Sequence, residues 1–163
     1  MKTRLQKLIA GAGLASRREA EKWISEGKVM VNGRTITQLG ASADPAVDCV
    51  KIRGRVLPPQ SDKMYLAFFK PTNCLTTLKD DGERPTVMDY FKKVKAKIYP
   101  VGRLDFNTQG ILLLTNDGAL SKDLLDPKNK VPRTYRAKVR GVPEPKTIGK
   151  LKSGLRLDGV STL

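Results

Sequence analysis

A pair of adjacent prolines, Pro58 and Pro59, constrains this chain more than any other feature of it. Each lacks a backbone N–H and fixes its own φ, so neither a helix nor an interior strand runs through them. The polar run Gln60-Ser61-Asp62-Lys63 follows and completes a connector. The 163 residues therefore divide into a first domain over residues 1–60, a link at 61–63 and a second domain over 64–163. A unit of about sixty residues has a marginal core and leans on its neighbour or its ligand.

Charge indicates the class of that ligand. Lys and Arg number 31 against 16 Asp and Glu, a net charge of +15 carried by both parts without a long lysine-rich tail. Such an excess points to a polyanion, because cations placed against phosphates release condensed counterions. Nucleic acid fits better than an anionic membrane surface, for which a long basic amphipathic helix is wanting. The absence of histidine excludes a Ser-His-Asp or Cys-His triad, a His-ligated zinc site and a His general base. Cys49 and Cys74 stand far apart with no Cys-x-x-Cys pair, so neither a disulfide framework nor a cysteine metal site is expected. No apolar run approaches the ~20 residues of a membrane span, and Met1-Lys2-Thr3-Arg4 does not open a signal peptide. The chain reads as reduced and cytoplasmic, with no membrane partner.

In the first part, Leu5, Leu8 and Ile9 recur at helical spacing. Ser16-Arg17-Arg18-Glu19 fits a capping box ahead of a second helix, with Ala20, Trp23 and Ile24 as its apolar stripe and Gly27 as its stop. Val29-Met30-Val31, then Asn32-Gly33, then Thr35-Ile36 spell a hairpin, since Asn-Gly accepts the positive φ of a tight turn. Val50-Lys51-Ile52 with Val56 reads as one more short strand. Arg4, Arg17, Arg18, Lys22, Lys28 and Arg34 gather on these elements. Singly, each suits a solvated face; as a cluster they suit a phosphate backbone.

In the second part, Tyr65-Leu66-Ala67-Phe68-Phe69 reads as a buried strand closed by Lys70-Pro71, and Thr86 to Phe91 as a short helix. A basic run, Lys92 to Lys97, comes next and suits either a phosphate-tracking stripe or a solvated helix. Ile111-Leu112-Leu113-Leu114 reads as a strand buried on both faces. Asn116-Asp117-Gly118 reads as a turn, Ala119 to Leu125 as a helix stopped by Pro127, and Thr134 to Val139 as an alternating strand. Among the carboxylates, Asp105 holds the most unusual position: between Gly102 and Gly110, two residues after Arg103, just ahead of the apolar strand. Spacing leaves two readings of it open. One is a loop-turning aspartate; the other is a desolvated carboxylate kept ionised by a neighbouring arginine.

Two resemblances bear on these readings. Arg4-Leu5-Gln6-Lys7-Leu8-Ile9-Ala10, Gly13-Leu14-Ala15-Ser16-Arg17-Arg18-Glu19-Ala20 and Gly27-Lys28-Val29-Met30-Val31-Asn32-Gly33-Arg34 resemble an S4 RNA-binding domain. Val101-Gly102-Arg103-Leu104-Asp105-Phe106-Asn107-Thr108-Gln109-Gly110, running on through Ile111-Leu112-Leu113-Leu114-Thr115-Asn116-Asp117-Gly118, resembles the signature of ribosomal RNA pseudouridine synthases. It is similar to the RsuA/RluB type, in which an S4 module precedes the catalytic domain, and nearest to the enzymes of large-subunit RNA. The implied fold class is α+β: a small S4-like αβ RNA-binding domain, then the first part of a mixed, mainly antiparallel pseudouridine synthase sheet. The resemblance implies Asp105 as the essential aspartate, acting on the ribose by attack at C1′ or by removing the C2′ proton. It implies Tyr135 as a second catalytic residue, stacked on the uracil. Arg103, Thr108 and Arg133 would bind substrate, with Arg103 filling the space the base vacates and Arg133 standing where the family has lysine. It implies no metal and no cofactor. The implied partner is ribosomal RNA, naked or within a large-subunit assembly intermediate, and the expected state is a monomer.

The resemblance also implies a third basic motif beyond Leu163, and Leu155 to Val160 alternates like a strand still in progress. On that basis the catalytic domain reads as truncated. Two functions follow as expectations: a uridine-to-pseudouridine isomerase, or an RNA-binding module that catalyses nothing.

Overall fold

The computed structural model describes residues 1–157 and 160–161. Its contacts group into two compact units, Met1–Val131 and Pro132–Leu163.

The first unit opens with β1 (Thr3–Arg4), α1 (Leu5–Gly11) and α2 (Arg17–Ser25). The hairpin β2 (Val29–Val31) and β3 (Arg34–Ile36) follows, then β4 (Ser42–Ala43), β5 (Val50–Ile52) and β6 (Arg55–Val56). Ser16 caps α2 by accepting from the Glu19 amide at 3.2 Å. The expected capping box is only half formed, because the Glu19 carboxylate turns instead to the Trp23 indole N–H at 2.8 Å. Asn32 and Gly33 take φ of 50 and 81°, the turn that the Asn-Gly pair predicts. Residues 50–56 form two strands rather than one, reversing at Arg53 and Gly54. The four-stranded antiparallel sheet runs β3-β2-β5-β6, while β1 pairs with β4. Leu5, Leu8, Ile9, Ile24, Val29 and Ile52 meet in its core.

Residues 57–64 have no regular structure, as the two prolines require. Beyond them β7 (Tyr65–Lys70), β8 (Tyr99–Val101) and β9 (Gly110–Thr115) form an antiparallel sheet in the order β7-β9-β8. A 3-10 helix, Val87–Phe91, precedes β8, and α3 (Gly118–Leu125) follows β9. Thr86 and Asp89 form a complete capping box at the 3-10 helix. Phe68 meets both Tyr90 and Phe91, with ring centroids 5.0 and 5.2 Å apart.

The two apolar strands are half-buried, not fully buried. Leu112 and Leu114 are inside, whereas Ile111 is 75% exposed and Phe69, its partner across the sheet, is 64% exposed. The reason is the pairing. Burial on both faces belongs to parallel sheets covered by crossover helices. This sheet is antiparallel, and Cys74, Val87, Met88 and Leu104 pack on one face of it.

The second unit contains α4 (Pro145–Lys152), β10 (Arg156–Leu157) and β11 (Val160–Ser161). Residues 134–139 are not a strand, in spite of their alternation. Alternation gives a strand only where a neighbour accepts the backbone, and among the described residues none pairs with this stretch. The expected strand over residues 155–160 is instead the antiparallel pair β10 and β11, with Asp158 and Gly159 outside the described residues.

Candidate active site

The loop of residues 102–109 joins β8 to β9 on the edge of the sheet where β7 ends. Gly102 turns the chain out of β8 at φ 81°, a region that side chains strain to enter. A Cβ there would also lie 3.4 Å from the Leu125 methyl.

Four groups hold this loop, all of them through its main chain. The first is Lys70, the last residue of β7, whose side chain is fully buried. Its Nζ donates to the carbonyls of Pro71 (3.0 Å), Asp105 (2.9 Å), Phe106 (3.3 Å) and Thr108 (2.8 Å). Lys70 lies opposite Gly110 in the β7–β9 register, so no side chain of the facing strand competes for that space. The second is Thr76. Its hydroxyl donates to the Leu104 carbonyl at 2.6 Å and accepts from the Leu104 amide at 3.2 Å, as a neighbouring strand would. The third is the loop itself, closed by the Thr108 amide donating to the Asp105 carbonyl at 3.0 Å. The Cys74 amide adds a bond to the Phe106 carbonyl at 3.3 Å.

The outcome is a loop fixed in its backbone with open side chains. Arg103 and Asp105 are exposed, Thr108 is half-buried, and among the described residues no ion pair joins Arg103 to Asp105. Of the two readings of Asp105 that its spacing leaves open, the desolvated carboxylate beside an arginine is therefore not what the fold provides. The apolar strand that follows is covered on one face only, and of this loop it is Leu104, not Asp105, that packs against it. Cys74 is no rival nucleophile, since burial pushes its thiol up and it packs with Val87 and Leu112. Among the described residues, no three His, Cys, Asp or Glu side chains gather as a metal site would need.

Arg133 and Tyr135 belong to the second unit, where both are exposed, Tyr135 by 65%. Arg4, Arg17, Arg18, Lys22 and Arg34 are exposed on the first three elements and the hairpin. Lys28 is half-buried and paired with Glu26, whose carboxyl it holds below the usual range. Lys70 and Thr76 escaped the sequence reading. Strand alternation carried a signal for the lysine, since period two sets residue 70 on the buried face with Phe68.

A second aspartate, Asp117, is treated in the opposite way. Its carboxylate caps α3 by accepting from the Ala119 and Leu120 amides. It also takes Lys63 Nζ at 2.8 Å and the Tyr65 hydroxyl at 3.0 Å. Lys63, chiefly, holds this buried carboxyl well below the usual carboxylate range. Beside it, Asn116 accepts from the Met64 amide and donates to the Asp62 carbonyl, both at 2.8 Å. The turn thus clasps the proline-rich connector against the start of α3.

Comparison with known proteins places this geometry. The profile of the family described as RNA pseudouridylate synthase matches residues 64–161, more than half of the chain. The chain belongs to the RNA pseudouridylate synthase family. An S4 domain profile matches residues 3–44 of the same family member, the segment that spans β1 to β4. A Bacillus subtilis protein named ribosomal large subunit pseudouridine synthase B is 44% identical over 95% of this chain and 63% of its own length. An Aquifex aeolicus RNA pseudouridine synthase is 43% identical over 97% of this chain and 64% of its own. A solved structure described as a pseudouridylate synthase aligns with 77% of this chain and 54% of its own at 29% identity and a TM-score of 0.42. The chain thus spans a little under two thirds of the length of these two curated relatives. Among its described residues no helix is long and apolar enough to cross a membrane.

Proposed function

We propose that the protein converts a specific uridine of large-subunit ribosomal RNA to pseudouridine, with Asp105 as the catalytic aspartate. The carrying observation is the exposed Asp105 carboxylate on a loop held by its main chain, inside the segment that matches the family. The Bacillus relative's name supports the large subunit as the source of the RNA.

In this reading the target base leaves its stack to meet the loop. Asp105 acts on the ribose, the N1–C1′ bond breaks, and the freed uracil turns. A C5–C1′ bond then forms while C5 loses a proton and N1 gains one. Product and substrate are isomers, so the atoms and electrons balance without a metal, nucleotide or redox cofactor. Tyr135 stacks on the uracil and assists the proton transfer at C5. Arg103 fills the space the base vacates, and Thr108 and Arg133 hold the strand around it. Residues 1–60 hold the RNA through Arg4, Arg17, Arg18, Lys22, Lys28 and Arg34, residues 61–63 link, and residues 64–163 contribute the catalytic part. The protein works as a monomer on ribosomal RNA, naked or in a large-subunit assembly intermediate.

The test is a site-resolved pseudouridine map of unmodified large-subunit ribosomal RNA incubated with the chain, run beside Asp105→Asn. One new pseudouridine that disappears in the variant is expected. Equal product from the variant would remove Asp105 from the chemistry. RNA binding with no product from either protein would leave this chain a binding module.

A further inference from the structure

A cavity of about 860 Å³ opens inside the first unit, between the S4-like helices and the start of α3. It is separate from the exposed loop that carries Asp105. Besides Lys63, which is paired with Asp117, cations reach it from four places: Lys7 on α1, Arg17 on α2, Lys97 just before β8 and Lys122 on α3. Among the described residues none of these four makes an ion pair with a carboxylate; Lys97 donates to the Leu14 carbonyl at 2.7 Å. The lining holds one acid, Asp117, already engaged by Lys63, Tyr65 and the α3 amides. With Lys63 offset by Asp117, the lining of the cavity keeps the positive charge of the other four cations.

Its walls are not only charged. Leu78, Ile98, Tyr99 and Leu125 give it an apolar side. Two of these lead toward the Asp105 loop. Leu125 is the side chain that a Cβ on Gly102 would meet at 3.4 Å, and Leu78 lies two residues past Thr76, which grips Leu104. Aromatic and apolar surface beside unpaired cations is the arrangement that takes a single nucleic-acid strand, bases on the one and phosphates on the other.

We propose that this cavity holds the unpaired RNA strand flanking the target uridine, with Arg17, Lys97 and Lys122 on its phosphates and Tyr99 against a base. The inference rests on the reading of the chain as an RNA-modifying protein and adds a second contact, between the S4-like face and the Asp105 loop. A strand gripped there sets which nucleotide reaches Asp105, so the cavity would act in site selection.

The test measures binding of fluorescent oligouridine and of an unmodified large-subunit ribosomal RNA transcript over a range of salt. The wild-type chain is compared with Lys97→Gln/Lys122→Gln and with a reference pair outside the cavity, Lys51→Gln/Lys79→Gln. For the cavity pair, the slope of log affinity against log salt should fall by about 1.4, at ~0.7 per lost single-strand contact. Oligouridine affinity should drop about tenfold, while the reference pair stays within about twofold. Because Lys97 also bonds Leu14, Ala119→Glu/Lys122→Gln serves as a second variant on exposed α3 positions, with the same expected loss. Equal losses in cavity and reference pairs, or none in either cavity variant, would overturn the site while transcript binding keeps the wider reading. A wild-type chain that binds neither RNA would overturn both.

Discussion

Asp105 and Asp117 lie at opposite ends of one strand and are handled in opposite ways. Asp117 commits its carboxylate to Lys63, Tyr65 and the first amides of α3, and is buried. Asp105 commits only its carbonyl, to Lys70 and Thr108, and its carboxylate faces solvent. Both are placed with care, but in one the side chain does the holding and in the other it is left over. A carboxylate that must act on a ligand needs the second arrangement, because every protein partner on its oxygens would have to be displaced first. Position comes from the main chain and reactivity from the side chain. That division separates Asp117, whose carboxylate builds the fold, from Asp105, whose carboxylate is left open as the proposed catalytic role requires.

Substitutions can break the contrast at either end. Lys70→Met should have the largest effect, since it leaves buried carbonyls without a donor; a loss of about 3 kcal/mol is expected in denaturant unfolding. It should also abolish pseudouridine formation with Asp105 intact. An unchanged denaturation midpoint would show that the loop does not depend on this lysine. Asp117→Asn should cost less, and in a pH-dependent way. The Asp117 carboxyl is depressed in the folded chain, so its stabilisation is complete above its usual value of 3.8 and is lost as pH falls through the folded value. Wild-type and variant unfolding midpoints should therefore differ near neutrality and converge in acid; a constant gap would mean that the ionised form is not what stabilises.

Smaller effects sharpen the contrast. Thr76→Val should lose about 1–2 kcal/mol, because the Leu104 amide and carbonyl both lose their partner, and Thr76→Ser should restore most of it. If valine is tolerated, Leu104 is held by packing rather than by the hydroxyl. Asp105→Asn should leave stability within about 0.5 kcal/mol of wild type, as expected where no side-chain bond is removed. A larger loss would reveal a structural role for this carboxylate and erase its difference from Asp117.

What could be read in the sequence follows the reach of each interaction. Ser16, Asn32-Gly33 and the Asn116-Asp117 turn act on residues within a few positions, and each forms at its expected place. Glu19 shows the limit even there, since Trp23 one turn away offered a better partner than the cap. The Asp105 loop was recognisable as a signature, but its support was not. Lys70 binds carbonyls 35 to 38 positions away, and Thr76 a residue 28 away. The clasp of Asn116 on residues 62 and 64 lies beyond local reach for the same reason. The apolar run at Ile111 misled because its burial depends on what covers the sheet, and composition is silent on that.

The Lys70 cage has a consequence for how such a loop can change through evolution. Its contacts on Asp105, Phe106 and Thr108 are all carbonyl oxygens, which every amino acid supplies alike. The lysine cannot sense which side chains stand there. The exposed positions 107 and 109 can accordingly vary their outward chemistry while the backbone at Asp105 keeps its place. Under the proposed function, target choice and catalytic architecture become separately inheritable traits of the same eight-residue loop.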